Sequence, residues 1–160
     1  MKCLTNNIDR SHFYTRPGMC DRCPIGRDAA DSVVRCFRGV DVTGWVVAYE
    51  FGGVRVNIAP HFCFDGASIP QCVWSIIGHP FTPGFVRAAL LHDVLYHSHV
   101  LSRRMADDAL LELLAADGVT WWKRTVIWLA VRCFGWMFWK QPQEVIEYFS
   151  KFIRVEGTQE

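Results

Sequence analysis

The chain has little that would mark it for binding nucleic acid, for spanning a membrane or for export. Its formal net charge is only +1, so it carries no electrostatic footprint for nucleic acid. The local clusters Arg103-Arg104 and Lys123-Arg124 are too short to be more than solvated faces. A membrane-spanning helix needs about 20 largely uncharged residues. In the most apolar segment, Trp121 to Trp139, only fifteen residues separate Arg124 from Lys140, and Arg132 interrupts them. No transmembrane span is therefore expected. Met1-Lys-Cys-Leu-Thr-Asn-Asn7 lacks the apolar run of a signal peptide, and internal repeats are missing too.

The seven cysteines are odd in number and irregularly spaced. Without a signal peptide, free thiols in a reducing compartment are the expectation. Cys20-Asp-Arg-Cys23 is one half of a zinc motif, which His12, Cys3 or Cys36 could complete, but a second paired motif is missing. Zn²⁺ on Cys20 and Cys23 is not the expected outcome.

What is present suits one folded domain. The chain has 160 residues, 51% hydrophobic and 21% charged, enough for a proper core and too apolar for wholesale disorder. Residues 1–32 are rich in turn formers and read as an irregular, Cys-bearing extension; residues 33–160 read as a single α+β domain. Strands are expected from Val33 to Phe37, from Gly44 to Phe51 and from Val54 to Ile58. Gly52-Gly53 joins the last two as a hairpin. Phe62 to Pro70 closes this small antiparallel sheet. A short helix around Gln71–Ile77 leads into a helical core. A Trp-rich helix is expected to bury itself there or to dip one face into a lipid surface, where Trp is favoured. Glu144 to Ile153 repeats apolar residues at helical spacing.

The chemistry lies in an expected pair of antiparallel helices. Thr82-Pro83 reads as an N-cap followed by proline at the first helical position, starting a helix that runs to about His99. Ser102 caps a second helix, which Gly118 closes. His92 lies eight residues before a reversal near residue 100, and Asp107 and Asp108 lie seven and eight after it. At 1.5 Å per residue all three sit roughly 10–12 Å from the turn. Ala106, Ala109, Leu110, Leu113 and Leu114 form the core stripe of the second helix. At about 100° per residue, Asp107 borders that stripe and Asp108 points away to solvent. Asp107 is thus the carboxylate able to meet His92. Asp93 points to a different side of its own helix, toward whatever loop covers it.

The set Phe64-Asp-Gly-Ala-Ser-Ile-Pro70, Arg87-Ala-Ala-Leu-Leu-His-Asp-Val-Leu-Tyr96, Ser102-Arg-Arg-Met-Ala-Asp107 and Val131-Arg-Cys-Phe-Gly135 resembles an uncharacterised family common in tailed-phage and prophage genomes. The match runs over about residues 40–140. It implies a phage origin, with the protein in the infected host cytoplasm or in the virion, and no settled activity. His92-Asp93-x-x-Tyr96 is also similar to the active-site helix of phospholipase A2 enzymes, and with Ala106-Asp107 to the parvovirus capsid version. That resemblance implies His92 as general base, Asp107 as the group orienting it, Tyr96 as the matching tyrosine, and Asp93 as a Ca²⁺ ligand. The Ca²⁺ would be completed near Asp65 and Gly66. The chain departs from the pattern in having one glycine where the calcium loop has two, and no disulfide cysteines flanking the histidine.

The expected function is hydrolysis of an acyl ester, with phospholipid or a membrane surface as partner. Two other chemistries draw on overlapping residues. Ser68 could act as a nucleophile with His92, although Asp65-Gly-Ala-Ser68-Ile-Pro70 lacks the nucleophile-elbow pattern. His92, Asp93, His97, His99 and Asp107 could hold a transition metal for phosphoester hydrolysis. The contrasting class is non-enzymatic: a phage accessory or virion-associated module that contacts phage structural proteins, with His92 and Asp107 as a buried brace.

Overall fold

The computed structural model of the chain describes residues 2–3, 13–15, 35–37, 47–51, 54–59, 63–64 and 85–157. The fold is α+β. One antiparallel sheet has the order β1 (Lys2–Cys3), β4 (Val47–Phe51), β5 (Val54–Ile58), β7 (Ile153–Glu156); a second has the order β2 (Phe13–Thr15), β3 (Arg35–Phe37), β6 (Cys63–Phe64). Phe51 stands opposite Val54, which leaves Gly52-Gly53 as the two-residue connection of the expected hairpin. Along β5, Val54, Val56 and Ile58 are buried, while Arg55 is exposed and Asn57 half-buried. This is the period-2 alternation of a sheet with one covered face.

Among the described residues five helices follow: α1 (Val86–Ser98), α2 (Arg103–Ala116), α3 (Trp121–Phe134), α4 (Trp136–Trp139) and α5 (Gln143–Ser150). Every residue of α1 except Arg87 is buried, as befits a helix apolar nearly all round. It is the centre of the molecule. The Tyr49 hydroxyl donates to the Arg87 carbonyl at 2.8 Å and ties the sheet to its first turn. At the other end His99 takes a left-handed conformation (φ 53°), and its N–H closes on the Leu95 carbonyl.

Ser102 caps α2 by accepting from the Met105 N–H. Gly118, at φ 77°, ends it, and the Val119 N–H reaches back to the Leu114 carbonyl. This is the left-handed glycine stop that the sequence calls for. The Arg87–Asp117 ion pair fastens the open end of the α1–α2 hairpin. Leu90, Leu91 and Leu95 of α1 share one core with Leu110, Leu113 and Leu114 of α2, Ile127 and Val131 of α3, Phe149 of α5 and the buried side of β5. Each such side chain contributes about 1.5–3 kcal/mol by leaving water.

Several expectations change. Lys2–Cys3 and Phe13–Thr15, within the stretch expected to be irregular, pair with β4 and β3. The C-terminal helix stops at Ser150 instead of running to Ile153, because Ile153–Glu156 pairs with β5 as β7. The Trp-rich segment is two helices, separated at Gly135. Only one side of α3 is buried, through Ile127, Ala130 and Val131. The region expected to hold the 71–77 helix lies outside the described residues.

Candidate functional site

His92 and Asp107 meet across the α1–α2 seam. His92 Nε2 lies 3.1 Å from Asp107 Oδ1, and neither side chain has any exposed surface. The Tyr96 hydroxyl, one turn after His92, donates to the same oxygen at 2.6 Å. Arg132 of α3 donates to the other oxygen, Oδ2, at 2.9 Å, and Arg103 Nη1 stands 3.8 Å from it. Three donors thus hold one buried carboxylate.

This arrangement fixes the protonation states. Removal from water acts to raise the Asp107 pKa, but the hydrogen bonds from His92, Tyr96 and Arg132 outweigh it and hold the carboxyl below its usual range. Asp107 is therefore ionised at neutral pH and can only accept. For His92, burial lowers the pKa more than Asp107 raises it, so the imidazole is neutral. A neutral imidazole facing an acceptor through Nε2 must carry its proton there. The lone pair then sits on Nδ1. That atom is buried and has no hydrogen-bond partner among the described residues. The outcome is an oriented imidazole whose basic nitrogen is bare among the described residues.

Burial, and then the Asp107 charge, raise the pKa of Tyr96, which stays a hydroxyl and a donor. Trp139 of α4 meets its ring edge-on at 5.1 Å. Gly135 lies so close that a Cβ there would overlap the Tyr96 hydroxyl and the Val131 carbonyl. The tyrosine is clamped between α1, α2 and the α3–α4 junction.

Asp93 is buried beside the dyad. Its Oδ1 lies 3.5 Å from His97 Nδ1, which also sits 2.9 Å from the Asp93 backbone carbonyl. Asp65, Gly66 and Ser68 lie outside the described residues, as do Cys20 and Cys23. Among the described residues no group of three or more His, Cys, Asp or Glu could hold a metal ion. A calcium ion takes six to eight oxygens, and Asp93 alone does not make such a site. His97 and His99, weighed above as ligands of a transition metal, are packed against aromatic rings. His97 is buried against Phe149, and His99 stacks on Trp139 at 4.0 Å. Asp108, expected to face solvent, is half-exposed and accepts from Trp128 Nε1.

Sequence reasoning missed Arg132 as a site residue. Its signal was present as the one charge in the apolar run between Arg124 and Lys140. Arg103 was missed as well; it donates to the Arg132 carbonyl at 3.2 Å and so holds the end of α3 against the site.

The chain belongs to the family described as "Protein of unknown function (DUF1353)", whose pattern matches residues 42–131 and so includes His92, Tyr96, Asp107 and the first turns of α3. It is 40% identical over 73 residues to "Uncharacterized protein y4jT" of Sinorhizobium fredii (strain NBRC 101917 / NGR234), covering 44% of this chain and 21% of that protein. It is 32% identical over 130 residues to "Uncharacterized protein y4iH" of the same organism, covering 81% of this chain and 50% of that protein. The matches thus span half or less of these relatives' length. No solved structure matches the chain.

Proposed function

We propose that this protein is a phage-encoded, phospholipase A2-like hydrolase of an acyl ester. The observation that carries the reading is the Nε2–Asp107 hydrogen bond, which leaves Nδ1 of His92 as an oriented, unprotonated base. In the proposed reaction Nδ1 takes a proton from water as the water oxygen adds to the ester carbonyl. The tetrahedral intermediate then expels the alkoxide, which receives that proton from the imidazolium. Asp107 fixes the tautomer and stabilises the imidazolium while it exists. Tyr96 and Arg132 position Asp107. A positioned base of this kind contributes about 10²–10⁴ in rate. A hard cation held by Asp93 and by oxygens near Asp65 and Gly66 would stabilise the oxyanion; the base chemistry does not require it. Phospholipid is the proposed substrate, and infected host cytoplasm or virion the proposed location.

The test is release of fatty acid from phospholipid, with calcium and with chelator. Wild type is expected to release it and His92→Ala to release none while keeping its helical circular dichroism. Equal hydrolysis by the variant rejects the proposal.

One observation favours a second reading. His92 is fully covered in this conformation, which suits a brace for the hairpin in a virion-associated protein that contacts phage structural proteins. On that reading wild type hydrolyses nothing and His92→Ala only loses stability.

A further inference from the structure

We infer that the outer side of α3 and α4 is a docking face for an anionic lipid bilayer. This inference goes beyond the hydrolase reading and does not depend on it, since docking requires no turnover. The observations begin with exposure. α3 buries Ile127, Ala130 and Val131 against the body of the protein. On its other side Trp121 is 71% exposed and Leu129 48%. Trp122, Leu129 and Cys133 follow one another at i, i+7 and i+11, which puts them on one stripe of the helix. α4 follows directly after Gly135 and exposes Trp136 (51%), Met137 and Phe138. Together these side chains present an apolar area on the order of several hundred Å², the size that marks an interaction surface.

Charge selects the occupant. From Gly118 to Gln143 the sequence holds Lys123, Arg124, Arg132 and Lys140 and no Asp or Glu. Arg132 is engaged by Asp107, which leaves three cations beside the apolar face. Two of them sit against its indoles. Lys123 Nζ lies 5.5 Å from the Trp122 ring and Lys140 Nζ 5.4 Å from the Trp136 ring. An indole with an ammonium at its side fits the depth profile of a bilayer surface, with the ring at the headgroup–acyl boundary and the cation at the phosphates. No helix among the described residues is long and apolar enough to cross a membrane, so α3 and α4 would lie in the plane of the interface. A second copy of the chain is a poorer occupant, because self-pairing of this face brings cations against cations.

The test uses the full chain and vesicles of phosphatidylcholine alone or mixed with phosphatidylglycerol. Expected is co-sedimentation with the mixed vesicles, at least about tenfold tighter than with phosphatidylcholine, weakening as salt rises. Tryptophan emission should be quenched by brominated acyl chains. Lys123→Glu with Lys140→Glu should lose about tenfold or more of the affinity. Trp121→Ser with Trp136→Ser should lose the quenching. Both double variants change partly or fully exposed positions and should melt as wild type does, while His92→Ala should bind as wild type does. Equal affinity for both vesicle types overturns the inference, as does absence of binding. So does a concentration-dependent dimer that the tryptophan variant returns to monomer with no change in vesicle affinity.

Discussion

Arg132 donates to Oδ2 of Asp107 at 2.9 Å, on the carboxylate edge that His92 and Tyr96 leave open. The guanidinium therefore connects α3 to a hairpin that would otherwise carry a buried charge with donors on one side only. Arg132→Met should destabilise the fold by about 2–4 kcal/mol, because a buried carboxylate loses a charged partner. Arg132→Lys should recover only part of this, since one ammonium does not reproduce the planar fork. Urea denaturation of the three proteins checks both statements.

The pH dependence of stability follows from two depressed pKa values. The folded-state pKa of His92 lies below its unfolded value of about 6.5, so the unfolded chain binds more protons in the window just beneath that pH. Stability should be full above about pH 6.5 and fall as the pH drops below it. Asp107 adds a second loss at lower pH, below its unfolded value of about 3.9 and through its depressed folded value. His99 is also lowered by burial and acts in the same direction as His92. His92→Gln, which keeps an amide donor for Asp107 and does not titrate, should flatten part of the upper slope. Urea midpoints measured across pH 4–8 read it.

Asp107→Asn separates orientation from packing. The amide fills the same volume but no longer demands a proton on Nε2, and its own N–H₂ can turn toward the imidazole. Should the protein hydrolyse acyl esters, the rate should fall by about 10²–10⁴ with the helical signal retained. Activity at the wild-type level in a folded Asp107→Asn protein would remove Asp107 from the mechanism.

Gly135→Ala should destabilise by about 1–3 kcal/mol. The backbone there is helical, at φ −60°, so the cost comes from the added methyl meeting the Tyr96 hydroxyl and the Val131 carbonyl. Combining it with Tyr96→Phe should give less than the sum of the two single losses, because the variants share one contact. Thermal melts of the four members of this cycle test it.

The hairpin was legible because its signals are local. The Ser102 cap, the Gly118 stop and 1.5 Å per residue are enough to set His92 level with Asp107, and the stripe Ala106, Ala109, Leu110 turns Asp107 inward. What the sequence hid is non-local. Ile153-Arg-Val-Glu156 looks like the tail of an amphipathic helix until β5, far earlier in the chain, supplies its partner. Arg132 reads only as an interruption of apolar residues until α3 is packed on α2. The glycine at 135 has no reason to be a glycine until Tyr96 arrives beside it. Which side of α3 is covered could not be read either, since large apolar residues occur nearly all round it. The proposed cation ligands Asp65 and Gly66, and the Cys20–Cys23 pair, fall outside the described residues.

The pairing of Arg55 with Glu156 and of Ile58 with Ile153 also bears on how the protein is made. The ribosome delivers β5 long before β7. Until β7 emerges, one rim of the sheet stands open to any other nascent chain that offers a strand. Synthesis halted before residue 153 should thus yield a sticky product, even though every residue of the histidine–aspartate seam had already been translated.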